Sequence, residues 1–543
     1  MPRWLVCALV AVGVALGQEV EPIRVNQSIW RQQLTQRAID RPDGTKGQIR
    51  ADAFGFTLRA ATKLHIVLRS HGNLVAVVND TSHKDAQGQP TELATLHVGE
   101  LFDRELPAGD YMVLVAGDVS VAAAYLLTVA TPPKPGAKLA AGTLAKPGEG
   151  QVLGNWKLSS PPRALALSSD GLLAAWHDGA ASWLADLDSG DCFKLSAEPG
   201  KPRSVRFSPD GWSVMVATDG GARLLSLPDL VPFVALKPSA GADGKPRPLA
   251  DAVFCGQEQR VALLPAQGNV ILTSPLPDDT ASVPNTSATA IDGCGVAGWF
   301  ALRQGDRGFC VVEADSRKPF GQVTLDAAPL AFAVCPAEPS VAVAGPGVSQ
   351  VWRAVPGAEG WKLPDVRAVA WAQDGRLYAA DQRGVAQYLV DVPNRLAPDL
   401  AAEHIALSSG DKLRLLAVDA QGQMVLWNLA EPEPSEEELN LAKAKLAYAT
   451  GLAAFRASKP LEAHQAFVAA RDLLAHLPKK DDLPVVECLS WLRCSQASYM
   501  LKEWERSRTE AVRLVELAKA LPEGDERTFY VAMGLYRQAD ALW

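Results

Sequence analysis

The sequence predicts a multidomain chain: an all-β sandwich, then a seven-bladed β-propeller, then an all-α helical repeat. Three observations carry this. Apolar and polar residues alternate in short runs from residue 18 to about 131, a strand-rich unit of about 40 residues recurs seven times between 151 and 430, and a helical period begins at residue 436. The 543 residues suffice for three or four domains, and with 48% hydrophobic and 21% charged residues the chain can fill large cores. Wholesale disorder is excluded. With 53 Lys and Arg against 61 Asp and Glu the net charge is −8, which excludes a protein that coats nucleic acid through bulk positive charge.

The chain opens with Met1-Pro2-Arg3, one positive charge, then an uncharged run of 13 from Trp4 to Leu16 that closes on the small-x-small pattern Ala15-Leu16-Gly17. Residues 1–17 are therefore expected to be a cleaved signal peptide directing export to a periplasm, cell surface or medium. The run is shorter than the ~20 residues that cross a bilayer, and no integral membrane span is expected after cleavage. Cys7 lacks a lipobox before it and leaves with the signal, so seven of the eight cysteines remain. None forms a Cys-x-x-Cys pair and no His-Cys cluster has zinc-like spacing, so neither a redox site nor a metal site is expected.

Residues 18–131 hold six runs of strand length and period: 54–59, 64–69, 74–78, 93–98, 111–115 and 124–129. The segment Leu106-Pro107-Ala108-Gly109-Asp110-Tyr111-Met112-Val113-Leu114-Val115, with Tyr125-Leu126-Leu127-Thr128-Val129 after it, resembles the end of the bacterial pre-peptidase C-terminal (PPC) domain over roughly residues 45–131. The resemblance implies a binding or folding module of an exported or surface protein. Residues 132–150, rich in Pro, Gly, Ala and Lys without apolar period, read as an extended linker.

In 151–430 each unit runs from an apolar strand to a small residue, a turn and another apolar strand, as in Ala164-Leu165-Ala166-Leu167-Ser168-Ser169-Asp170-Gly171. Anchors fall at 168, 208, 255, 292, 335, 372 and 408, and apolar residues recur further on at Trp183, Leu225, Leu272, Cys310, Trp352, Tyr388 and Trp427. All-strand units of this length imply propeller blades. The pattern resembles the WD40 repeat in architecture, although no Trp-Asp or Gly-His dipeptide marks the units, so the side-chain network of regular WD40 blades is expected to be mostly absent. Asn155-Trp156-Lys157-Leu158 matches Trp361-Lys362-Leu363 with no complete blade before it, so Val152–Leu158 is expected to complete the seventh blade and close the ring. Cys255, Cys310 and Cys335 fall at small or apolar repeat positions and read as core fillers.

Residues 431–435 are a second linker, in which Ser435 with Glu438 has the form of a capping box. Helices are expected at 436–457, 460–477, 484–501, 504–521 and 526–542. Gly451, Ala463, Phe467 and Ala470 stand at small and aromatic positions, so the segment 436–543 resembles a tetratricopeptide (TPR) array, with a generic helical hairpin array as the alternative.

No Gly-x-Ser-x-Gly, His-Glu-x-x-His, phosphate-loop or dinucleotide motif occurs, so no catalytic residue is assigned and no cofactor is expected. Asp292 is the one acid at an anchor, a weak channel candidate, because a glycosidase needs two carboxylates. Asp186-Leu187-Asp188-Ser189-Gly190-Asp191 has one calcium-loop-like copy in seven units and reads as a turn. Five residues before the anchors stand Arg163, Arg203 and Arg367, with Glu403 in the same register and His404 beside it. These belong to consecutive blades of a closed ring and would form a basic arc suited to a carboxylate or phosphate on a protein or peptide partner. The sequence thus reads as a non-catalytic exported scaffold with a protein or peptide partner and no nucleic acid. Its alternatives are a propeller-based hydrolase or lyase acting on a sugar or small anion, and a regulatory partner of an exported protease.

Overall fold

A computed structural model describes residues 20–40, 46–84, 86, 90–117, 123–142, 151–238, 247–255, 260–274, 280–283, 288–294, 298–354, 360–389, 392–398, 400–410, 412–429, 436–475, 477 and 483–542. The signal expected at residues 1–17 and the Ser435 cap lie outside the described residues. The chain divides into two compact units, Met1–Ala430 and Glu431–Trp543.

The first unit begins with two sheets. One has the order Glu21–Pro22, Lys46–Leu58, Gly109–Gly117, Leu74–Lys84, Pro90–His97, with Gln36–Asp40 also on Lys46–Leu58; the other runs Gln27–Arg31, Tyr125–Ala130, Thr62–Ser70, Leu101–Leu106. The strand period of two sends Leu64, Ile66 and Leu68 of one sheet, and Leu74, Ala76 and Val78 of the other, into a shared core. Tyr125 crosses that core and donates its hydroxyl to Asp52 Oδ2 at 2.7 Å. Tyr111 folds back to donate to the Pro107 carbonyl at 2.9 Å, which fixes the corner inside the Leu106–Val115 run.

Seven antiparallel sheets follow, each with four blade strands, and their inner strands are Ala164–Leu167, Pro202–Phe207, Leu249–Phe254, Ala288–Cys294, Ala331–Val334, Ala368–Trp371 and Ala402–Leu407. Each inner strand lies beside the next, and the seventh lies beside the first, so the sheets close into a β-propeller. The seventh blade is finished by Gln151–Lys157, antiparallel to Gln423–Asn428, as the repeated Trp-Lys-Leu motif implies. The anchor serines tie the turn after the inner strand: Ser168 Oγ accepts from Leu173 N at 2.9 Å, and Ser208 Oγ accepts from Ser213 N at 2.9 Å.

Two expectations change. Blade 4 has its anchor at Cys294, not at Asp292: the bulge at Ala288/Ala290 matches that at Pro202/Ser204, and Cys294 pairs with Trp299 two places past Asp292. Asp292 and Gly293 are strand interior here, paired with Ala301 and Phe300. Residues 137–141, expected in a linker, are edge strands. Ala137–Lys138 adds to the outer strand of blade 1 opposite Cys192 and Asp191, and Ala140–Ala141 adds to the outer strand of blade 7 opposite Lys157 and Trp156. Between them Leu139 packs with Trp156, Leu187 and Cys192. This strap bridges the two blades where the ring closes.

The second sheet of the N-terminal segment rests on blade 2. Ser28 Oγ meets Ser226 Oγ at 3.0 Å, His65 Nδ1 meets Asp229 Oδ1 at 2.7 Å, and His71 stacks on Trp212 with ring centroids 4.4 Å apart.

The described residues of the second unit form five helices, α1 Glu436–Arg456, α2 Pro460–Ala475, α3 Leu483–Met500, α4 Trp504–Lys519 and α5 Asp525–Asp540. Gly451 of α1 lies against the buried Phe467 ring of α2, where an added Cβ would come within 2.6 Å of the ring, so only a residue without a side chain lets these helices approach so closely.

Candidate functional site

With the anchors fixed, the inner strands can be superposed by register, and the side chains two and four places before each anchor share one face. At minus two stand Ala166, Arg206, Val253, Asp292, Ala333, Ala370 and Ala406; at minus four stand Ala164, Ser204, Asp251, Ala290, Ala331, Ala368 and His404. The ring wall is thus alanine and valine interrupted by five polar residues. Three of them, Arg206, Asp292 and His404, line a cavity of about 490 Å³ together with Arg163.

Arg206 of blade 2 reaches past blade 3 toward blade 4, with Nη2 at 3.7 Å from Asp292 Oδ1. Asp251 of blade 3 lies close enough for the same guanidinium to act on it. Burial pushes both carboxyls above the usual carboxylate range, and Arg206 opposes that shift in each. The structure therefore brings a second acid to Asp292 that sequence reasoning missed. Its signal was present: Asp251 is four residues before the Cys255 anchor, the register of Ser204 and His404, but only a corrected blade 4 places Asp292 on that same face.

These polar groups already have partners, and the partners are the next blade. Asp292 Oδ2 accepts from Val334 N at 3.1 Å, Ser204 Oγ donates to the Ala252 carbonyl at 3.4 Å, and His404 bonds to the Pro162 backbone. On the second strand of blade 1, His177 Nε2 donates to the Arg203 carbonyl at 3.0 Å. Trp371, on the opposite face of its strand, donates backwards to Ala333 of the preceding blade at 3.2 Å. The period of two thus decides which neighbour each side chain staples.

The rim residues expected to form a basic arc are placed as follows. Arg367 Nη1 donates to Glu403 Oε1 at 2.7 Å, and Arg203 faces Asp219 at 3.9 Å. Arg163 is exposed, lies over Gly179 and makes no ion pair among the described residues. Two of the three arginines therefore meet acids of the ring. The Asp186 loop is a turn in which Asp186 Oδ1 accepts from Asp188 N at 2.9 Å and Ser189 N at 3.2 Å. Cys192, Cys255, Cys310 and Cys335 are buried free thiols, and burial raises the pKa of the first three, to about 11 for Cys192 and about 12 for Cys255.

The other candidate surface is on α5. Its exposed residues are Glu526 and Thr528 in the first turn, then Phe529, Ala532, Leu535, Tyr536 and Ala539, continued by Leu542, and four of these are large apolar side chains at 52%, 53%, 56% and 68% exposure (Phe529, Leu535, Tyr536, Leu542). Spacings of three and four residues put them on one face.

No family model matches the chain, and no curated protein matches it. Among solved structures, a chain of the mitotic checkpoint complex is 16% identical, covering 54% of this chain and 98% of its own, with a TM-score of 0.43. The Cps50 (Swd1) β-propeller domain of Myceliophteria thermophila is 11% identical, covering 51% and 100%, with a TM-score of 0.40. Kuenenia stuttgartiensis hydrazine synthase is 12% identical, covering 50% and 97%, with a TM-score of 0.40.

Proposed function

We propose that this chain is an exported, non-catalytic scaffold that binds a protein partner, combining a PPC-like sandwich, a WD40-like propeller and a TPR-like helical array. The observation that carries the reading is the apolar outer face of α5. An exposed apolar patch of this kind is stable when another surface covers it. An amphipathic helix of a partner protein fits such a face, and Arg163 on the propeller rim offers a second, charged contact. The ring acts as a rigid support, because its central polar groups are engaged in holding blade to blade.

The test is affinity capture from envelope extract with residues 18–543, beside Phe529→Asp/Tyr536→Asp. The expected result is a stoichiometric protein partner whose capture falls at least tenfold in the variant while the helical signal in circular dichroism is kept. A partner retained equally by the variant would refute the reading.

The Asp251–Arg206–Asp292 cluster favours a second reading, a hydrolase or lyase acting on a small sugar or anion in the central cavity. That reading predicts a small molecule retained by the propeller and lost in Asp292→Asn, with no protein partner.

A further inference from the structure

Three helices of the C-terminal unit bring a sulfur, a nitrogen and an oxygen donor together in its interior. His464 of α2, Cys494 of α3 and Glu510 of α4 each offer one ligand atom, and these lie within 4.8 Å of one another. The residues are 2%, 0% and 5% exposed. His464 Nε2 meets Glu510 Oε1 at 2.8 Å, and Ser498, one turn from Cys494 on α3, donates its hydroxyl to Glu510 Oε2 at 2.8 Å. Arg506 Nε stands 3.6 Å from Glu510 Oε1. Around this group the packing is apolar: Ala454, Ala463, Phe467 and Ala497 share a cluster with Cys494.

A buried carboxylate, imidazole and thiol are an expensive way to fill a helix interface that Ala and Leu could fill. The donor set is that of a borderline-soft dication in a tetrahedral site, and hard cations that take only oxygen are disfavoured by it. A thiolate and a carboxylate together neutralise a dication, so the occupied site would bury no net charge. Tetrahedral zinc bonds of about 2.0–2.3 Å place ligand atoms roughly 3.5 Å apart, wider than the 2.8 Å between His464 Nε2 and Glu510 Oε1 and inside the 4.8 Å that holds all three donors. The burial of all three donors leaves no route for a substrate, which fits a structural rather than a catalytic ion.

We propose that His464, Cys494 and Glu510 form a zinc site that ties α2, α3 and α4 together, with the Ser498 hydroxyl or a water as fourth ligand. Binding forms a Zn–S bond and releases the Cys494 proton to solvent, one proton per ion from the thiol. No local spacing announces the site, because its ligands are 30 and 16 residues apart.

The experiment is anaerobic titration of the full chain with Co²⁺, followed by displacement with Zn²⁺, reading the thiolate-to-cobalt charge-transfer band. One Co²⁺ per chain with that band is expected, with the band abolished in Cys494→Ser and affinity about 10–100-fold weaker in Ser498→Ala. No band in the wild type, or a band that survives Cys494→Ser, overturns the proposal. Should Cys494→Ser fail to fold, the thermal midpoint of the wild type decides: it rises with added Zn²⁺ if the site exists, and an unchanged midpoint overturns it.

Discussion

His177 and His404 show how burial converts single ring residues into pH-dependent staples. His177 donates from Nε2 to the Arg203 carbonyl while its buried Nδ1 has no hydrogen-bond partner among the described residues, so a proton added there would be both charged and unsatisfied. Burial lowers its pKa from the ordinary 6.5, with the Arg206 and Arg163 charges acting the same way and Asp178 opposing, and burial lowers that of His404 as well. The sign follows: with the folded value depressed, the unfolded chain binds the proton first as pH falls. Stability is therefore full above the ordinary histidine value and is lost as pH drops below it. Denaturant unfolding between pH 7.5 and 5 should show this decline, and His177→Gln, which keeps a donor for Arg203, should flatten it. An unchanged slope in the variant would show that His177 does not supply it. At this scale the sequence was least legible. Asp292 was visible but stood two positions out of register, because the Ala290-Ile291-Asp292 run has the form of a strand end while the pairing continues to Cys294, and Asp251 gained meaning only from the register of another blade.

At the scale of elements, Gly451 sets two local effects against each other. Alanine is favoured over glycine inside a helix by about 1 kcal/mol, but here its methyl group would meet the Phe467 ring at 2.6 Å, and overpacking of this kind costs about 1–3 kcal/mol. Since Phe467 is fully buried and clustered with Ala463, Cys494 and Ala497, it has little room to swing away, and the clash wins. Gly451→Ala is expected to destabilise the helical unit by about 1 kcal/mol in chemical denaturation, whereas a gain would mean that α1 and α2 can separate freely. The strap over residues 137–141 is the second case. Replacing 136–142 by a Gly/Ser segment of equal length removes the packing of Leu139 and, through the greater freedom of the unfolded chain, weakens the edge hydrogen bonds donated by the Gly136, Leu139 and Gly142 amides. A loss of about 2 kcal/mol, seen as a midpoint lower by a few degrees, is expected. The strand that closes blade 7 was legible because Trp156-Lys157-Leu158 repeats a pattern found elsewhere in the ring. The strap was not, because two-residue backbone pairings leave no apolar period, and its Pro, Gly and Ala content is that of a linker.

For the whole molecule, the central question is what couples the N-terminal sheets to the ring, since both fall in one compact unit. The coupling is polar and specific: Ser28 with Ser226, His65 with Asp229, and the His71–Trp212 stack. Asp229 is the group whose titration reports it. Burial pushes its carboxyl above the ordinary range, while the His65 hydrogen bond and the Arg69 charge only partly oppose that. A raised folded value means that the folded state holds the proton longer than the unfolded chain, so this group's contribution is largest at low pH and is lost as pH rises from the ordinary carboxylate value through the raised one. Asp229→Asn keeps an acceptor for His65 and removes the buried charge. It should therefore match or exceed the wild type at pH 7, with the difference shrinking as pH falls. Asp229→Ala, which strands His65, should lower stability and split calorimetric unfolding into separate transitions for the sheets and the ring. Equal destabilisation by Asn and Ala would show that the charge itself, and not the hydrogen bond, holds the interface.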